Sequence, residues 1–163
     1  MLLSDQAYQR IDRELAKFPG DKKQSAILAS LTIAQDEKRW VSPEVIEDVA
    51  VYLGVPPIAV QEVATFYNML DTRPAGCYKL TVCTNLPCAL RGSAAALEHL
   101  KQKLSVGVQE ISADGLFSVF EGECFGACGD APVVLVNNKQ MCVRMSEDKL
   151  DAMIDAIRQG ESA

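Results

Sequence analysis

Apolar positions along the first 70 residues recur at helical spacing. Ala7, Ile11, Leu15 and Phe18 share one face of a segment that Ser4 caps and Pro19-Gly20 ends. Residues 24–38 repeat the pattern with Ile27, Leu28, Leu31 and Ala34. Ser42-Pro43-Glu44 then supplies an N-cap, a proline at the first helical position and an early acid. The third helix carries Val45, Ile46, Val49 and Leu53 and is expected to stop at Gly54. Pro56-Pro57 opens a fourth, running through Val63 and Phe66 and ending before Asp71-Thr72-Arg73-Pro74. Trp40 is expected to wedge between the second and third helices.

After Pro74 the period changes. Tyr78 to Cys83 alternates as a strand does, with Leu80 and Val82 against Lys79 and Thr81. A helix is predicted over 89–104, with Ala94, Leu97, Leu100 and Leu104 as its buried stripe, and a second strand over 116–120. Residues 133–136 and 141–143 flank Asn137-Asn138-Lys139 and read as a hairpin. Ser146 caps a closing helix with Glu147 and Asp148 in its first turn, where the dipole favours acids. Strand–helix–strand followed by hairpin–helix is a thioredoxin-like order. The predicted fold class is α/β: a thioredoxin-like ferredoxin domain over 74–163, a four-stranded mixed sheet with flanking helices. An all-α helical region over 1–73 precedes it.

Composition narrows the function. With 163 residues, 48% hydrophobic and 23% charged, the chain can bury a core, and 10 Gly and 7 Pro exclude collagen-like or low-complexity sequence. The formal charge is -6, and the halves divided at Ala75 each carry 8 basic and 11 acidic residues, so no basic face for nucleic acid is hidden. The purest apolar run, residues 131–136, is far short of the ~20 residues a membrane span needs, so no direct membrane insertion is expected. The first residues lack the basic and apolar regions of a signal peptide, and a cytoplasmic location is expected. Gly122-x3-Gly126-x2-Gly129 is not a dinucleotide fingerprint and no P-loop occurs, which leaves no visible place for a nucleotide.

Six cysteines stand out in a chain that does not need disulfides. Cys83 and Cys88 form C-x4-C; after a 35-residue gap Cys124 and Cys128 form C-x3-C. Each pair follows a predicted strand. Pro87 disfavours helical geometry at Leu86, so the first step reads as a loop, and Gly126 and Gly129 let the second bend tightly. Strand ends on one edge of a small parallel sheet bring the four sulfurs together, and a bound cation resolves their repulsion. Structural zinc and buried thiols remain open, although zinc usually takes a Cys-x-x-Cys step absent here. A [2Fe–2S] cluster tolerates longer steps; its Rieske form needs two histidines, and the chain has only His99. Such a cluster with four thiolates carries about -2, or about -3 when reduced, so local N–H dipoles must hold it. The helix expected near Ala89 and the Gly126–Gly129 loop are the candidate donors. Cys77 and Cys142 read as strand thiols, His99 as structural or solvated, and Arg91 as an offset to cluster charge or an exposed helical charge. Phe66 and Tyr67 fit either a core or a partner surface.

Five segments carry a resemblance over nearly the whole chain: Arg39-Trp40-Val41; Glu62-Val63-Ala64-Thr65-Phe66-Tyr67; Val82-Cys83-Thr84 through Cys88-Ala89-Leu90-Arg91-Gly92; Glu123-Cys124-Phe125-Gly126-Ala127-Cys128; and Ala131-Pro132. They resemble the E subunits of bacterial NADH–quinone oxidoreductase, respiratory complex I, and their mitochondrial counterparts, in the thioredoxin-like [2Fe–2S] ferredoxin family. The resemblance implies one [2Fe–2S] cluster held by Cys83, Cys88, Cys124 and Cys128. It implies a one-electron carrier, not catalytic alone, that accepts a flavin electron transiently and lies off the main electron line. FMN and NADH would then belong to a partner flavoprotein subunit, onto which the helical region docks among the other peripheral-arm subunits. The complex would hold the chain at the inner face of the cytoplasmic membrane. Asn68-Met69-Leu70 lacks an aromatic frequent in the family, and Met141-Cys142-Val143 lacks a tyrosine often found there. The competing readings are the equivalent subunit of an NAD-linked hydrogenase or formate dehydrogenase, and a zinc-stabilised interaction module.

Overall fold

The computed structural model describes residues 1–160, which form two compact units, Met1–Pro74 and a second that begins at Ala75. In the first unit the helices are α1 (Asp5–Leu15), α2 (Ile27–Lys38), α3 (Pro43–Leu53) and α4 (Pro57–Phe66). Ser4 and Ser42 cap α1 and α3 by accepting from the N–H groups of Ala7 and Val45. Gly54 ends α3 in the left-handed region at φ 68°. Ile11, Leu31, Val45, Val49, Leu53 and Val60 meet in the core. A reciprocal pair of tyrosines ties α1 to α3: the Tyr8 hydroxyl donates to Asp48, and the Tyr52 hydroxyl donates to Asp12 at 2.8 Å. Burial, reinforced by the Asp12 carboxylate, pushes the Tyr52 hydroxyl up to about 12.

Three expectations for this unit need correction. Residues Lys23–Ala26 form a 3-10 turn, and α2 starts only at Ile27. Phe18 lies beyond the end of α1 and is exposed, because the chain leaves the helix after Leu15. Val41, not Trp40, fills the turn into α3; Arg39 adopts a left-handed C-cap, φ 71°, and leaves Trp40 half-buried.

The second unit is built on a four-stranded sheet of order β2-β1-β3-β4, with β1 (Tyr78–Cys83), β2 (Phe117–Gly122), β3 (Val133–Val136) and β4 (Gln140–Val143). β1 and β2 are parallel with Cys83 level with Gly122; β3 runs antiparallel to β1, and β4 to β3. Leu80, Val82, Val119, Val134 and Val136 share a core with α6 (Ser93–Leu104) and α7 (Glu147–Arg158). This is the mixed, thioredoxin-like sheet that the order of elements predicts. Asn137 and Asn138 turn the hairpin at φ 51° and 56°, the pattern of a type I′ turn. Asn137 also accepts from the Lys79 N–H at 2.8 Å and donates to the Cys77 carbonyl at 3.3 Å, joining the hairpin to the start of β1.

Differences here bear on the site. The expected helix over 89–104 divides into α5, the single turn Leu86–Ala89, and α6, separated at Gly92 with φ 91°. The break rotates the stripe: Ser93, Ala96, Leu100 and Leu104 are buried, Leu97 is partly buried and Ala94 is exposed. β2 extends to Gly122, beyond the expected 120, and so delivers the chain directly to Cys124. β1 does not alternate between buried and exposed: Lys79 through Cys83 are all buried. Lys79 is buried with its ammonium 4.5 Å from the centre of the Phe120 ring. Of the two roles expected for His99, structural or solvated, the fold shows the structural one, with Nε2 2.8 Å from Asp151 of α7.

Candidate metal centre

The two cysteine loops leave neighbouring parallel strands at the same level. Cys83 is the last residue of β1, and the Thr84 N–H donates to the Gly122 carbonyl at 2.9 Å, adding one rung beyond the strand. Asn85, in extended geometry, begins α5, and its carbonyl accepts from the N–H groups of Cys88 and Ala89, both at 2.9 Å. Leu86 is therefore helical, contrary to the loop expected from Pro87. The proline stands in the first turn, where a missing N–H removes no helical bond.

The second loop is shaped by Gly126, at φ 80°, whose N–H donates to Cys124 Sγ at 3.4 Å. Cys128 opens a short 3-10 turn, Cys128–Asp130. Asp130 anchors that turn to the end of the hairpin: its carboxylate accepts from Arg144 at 2.9 and 2.7 Å, and its carbonyl accepts from the Arg144 N–H at 2.7 Å. The Ala131-Pro132 peptide that follows is cis. Asn85 Nδ2 donates to Glu123 Oε2 at 3.1 Å and so links one cysteine loop to the other.

The structure sets the four predicted cysteines beyond the ends of neighbouring strands and divides them by burial into twos. Cys83 and Cys88 are both 1% exposed and pack together with Ala131, Val133, Phe125 and Ala127. Cys124 and Cys128 lie toward solvent with their sulfurs 3.7 Å apart. Burial, then the neighbouring Cys83, pushes the Cys88 thiol up to about 11; smaller contributions come from Cys128 and Cys124. The hydrogen bond with Cys124 is the chief cause of a raised value at Cys128. Each of these two thiols thus resists ionisation beside its neighbours, and a cation that neutralises the group is the chemical complement of the site.

Among the described residues, no three or more His, Cys, Asp or Glu side chains gather as a cage for a single metal ion. The pairs have another match. A tetrahedral metal with metal–sulfur bonds of about 2.3 Å separates two of its thiolates by about 3.8 Å. The 3.7 Å of Cys124 and Cys128 is that edge. With that pair at metal-binding separation and the buried Cys83 and Cys88 packed together at the end of the neighbouring strand, the residues present suit a [2Fe–2S] cluster.

The other two cysteines lie apart. Cys77 precedes the opposite end of β1, and Cys142 packs against the main core, paired with Val134. Arg91 is exposed. The expected helix dipole at Ala89 is absent: α5 starts at Leu86, and the Cys88 N–H is occupied by Asn85. The N–H that does reach a sulfur belongs to Gly126. The Asn85–Glu123 and Arg144–Asp130 ties leave no periodic signal in the sequence.

The family described as thioredoxin-like [2Fe-2S] ferredoxin matches residues 11–158. NADH-quinone oxidoreductase subunit 2 of Thermus thermophilus is 36% identical over 151 residues, covering 93% of this chain and 83% of that protein. The E subunit of the NADH-quinone oxidoreductase of Rickettsia bellii is 40% identical over 145 residues, covering 88% and 86%. A solved NAD+-reducing [NiFe]-hydrogenase in the H2-reduced state shares the fold, with TM-score 0.72 and 23% identity over 82% of this chain, which spans 22% of the hydrogenase chain. No described helix is long and apolar enough to cross a membrane. Paired sulfurs on a thioredoxin-like sheet and a family match across both units agree: the chain belongs to the thioredoxin-like [2Fe–2S] ferredoxin family.

Proposed function

We propose that this protein is the E-type subunit of an NADH–quinone oxidoreductase, complex I, a one-electron carrier holding one [2Fe–2S] cluster on Cys83, Cys88, Cys124 and Cys128. The observation that carries the reading is the pairing of four sulfurs at the ends of two parallel strands, with the outer pair at 3.7 Å. Relatives at 36% and 40% identity that bear the complex I subunit names support the choice of complex. When bound, the cluster supplies a one-electron couple.

The chain's own groups prepare that site. Cys83 and Cys88 are shielded by the packing of Phe125 and Val133, which keeps water from one pair. The Gly126 N–H offers a dipole to the sulfur of the other, as an anionic cluster in a chain of charge -6 requires.

Partner contacts follow from what the two units leave exposed. Leu86 and Leu90 flank Cys88 at 70% and 80% exposure, an apolar rim beside the cluster loop. In the helical unit Phe66 is 78% exposed and meets Tyr67 edge-on at 5.0 Å. The occupant in this reading is the flavoprotein subunit that carries FMN and NADH, in company with other peripheral-arm subunits. The complex places the chain at the cytoplasmic face of the membrane, off the main electron line. The test is metal analysis of anaerobically purified full-length chain, with an EPR spectrum after dithionite reduction. Two irons with acid-labile sulfide and an S = 1/2 signal are expected; one zinc per chain overturns the cluster in favour of an interaction module. Subunits that co-purify from the native source distinguish complex I from an NAD-linked hydrogenase or formate dehydrogenase.

A further inference from the structure

The two cysteine pairs differ in how a solute can reach them. Cys83 and Cys88 are 1% exposed, whereas Cys124 lies in the open. The Cys124 and Cys128 sulfurs stand 3.7 Å apart across Phe125-Gly126-Ala127. A disulfide bond is about 2.0 Å long, so the sulfurs need to approach by about 1.7 Å. The loop between them turns on Gly126, in the left-handed region at φ 80°, and no side chain stands there.

We propose that in the metal-free chain Cys124 is a site of exchange with low-molecular-weight disulfides, and that the exchange closes a Cys124–Cys128 disulfide which keeps iron out. Attack by the Cys124 sulfur breaks the S–S bond of the small disulfide, releases one small thiol and leaves a mixed disulfide on the protein. Attack by the Cys128 sulfur on Cys124 then forms the internal bond and releases the second small thiol. The two protein thiols lose two electrons and two protons, and both are carried away by the two small thiols. Closure occupies two of the four proposed ligands, and a dithiol reductant restores them. Only the blockade of iron rests on the cluster reading; the exchange does not.

The experiment treats full-length, iron-free chain with oxidised glutathione, maps disulfides by peptide mass, and then offers iron and sulfide with or without dithiothreitol. The expected product links Cys124 to Cys128, leaves Cys83 and Cys88 reduced, and takes up no iron until dithiothreitol is added. In urea the preference between the pairs should vanish, because it comes from the fold. Cys128→Ser should stop at the glutathione adduct on Cys124. A Cys83–Cys88 link formed first, an adduct that persists in the unaltered chain, or unimpaired iron uptake by the oxidised chain overturns the proposal. Failure of the never-oxidised, reduced chain to take up iron overturns the cluster reading instead, while the disulfide map still decides the exchange.

Discussion

Gly76 and Gly122 are glycines because a side chain has nowhere to go. A Cβ at Gly76 would lie 2.5 Å from the Phe117 carbonyl carbon, where the chain entering β1 presses against β2. At Gly122 it would lie 2.6 Å from Phe125 Cζ and 2.7 Å from Thr81 Cγ2. The second contact belongs to the site, since Phe125 also packs against the buried cysteine pair. Residues that touch sulfur are thus set apart from residues that only resemble them in the sequence. Cys83→Ser is expected to bleach the cluster absorbance and weaken folding of residues 75–163, because metal binding and folding are coupled. Cys77→Ser, at the far end of β1, is expected to leave the spectrum unchanged, and a visible spectrum that changes equally in both variants contradicts the ligand set.

Between elements, polar clamps do what apolar stripes cannot. Asp151 of α7 meets α6 through His99 Nε2 at 2.8 Å and Lys103 Nζ at 3.2 Å. The hydrogen bond from His99, then that from Lys103, holds the Asp151 carboxyl below the usual carboxylate range. A depressed carboxylate stabilises the fold above its unfolded value of about 3.9, and that contribution is lost as pH falls through the lower folded value. Urea midpoints measured against pH should therefore show the unaltered chain above Asp151→Asn near neutrality, with the gap closing below about pH 4. A gap that stays constant through pH 3 removes the clamp from the account.

The same scale shows what can be read in advance. The limits of α3 are legible because Ser42, Pro43 and Gly54 each act within a turn of their own position. The hairpin is legible through Asn137-Asn138, although the bonds from Asn137 to Lys79 and Cys77, about 60 residues away, are not. The break between α5 and α6 escapes the pattern because apolar residues on both sides continue one helical period, and only the backbone at Gly92 interrupts it. Lys79 reads as part of a wet face because a charge in an alternating strand usually marks one; in the fold its stem is buried and its ammonium lies over the Phe120 ring. The cysteine spacing names the four residues of interest, but their grouping by twos and their unequal burial need the fold.

At the scale of the molecule, each unit has its own core: residues Leu3 through Leu70 in one, Leu80 through Ile157 in the other. In the proposed function the sheet unit carries the metal chemistry and the helical unit the docking. Removal of residues 1–74 is expected to preserve iron content and the visible spectrum of the remainder. Retention on an immobilised flavoprotein subunit is expected to be lost, which a pull-down with the full chain as reference measures. Undiminished retention assigns docking to the sheet unit, with Leu86 and Leu90 as its surface.

The parallel register that sets Cys83 level with Gly122 has a consequence for how such chains can diversify. In the proposed ligand set, the 35 residues between Cys88 and Cys124 would serve as a tether whose length a bound metal does not sense, since both anchor points are fixed by adjacent strands. Turns within that tether, such as the one around Asp114 and Gly115 that leads into β2, are free to lengthen or shorten without moving a sulfur. The two short spacings, four residues and three, have no such freedom. A search for distant kin should hold those fixed and let the interval between them vary.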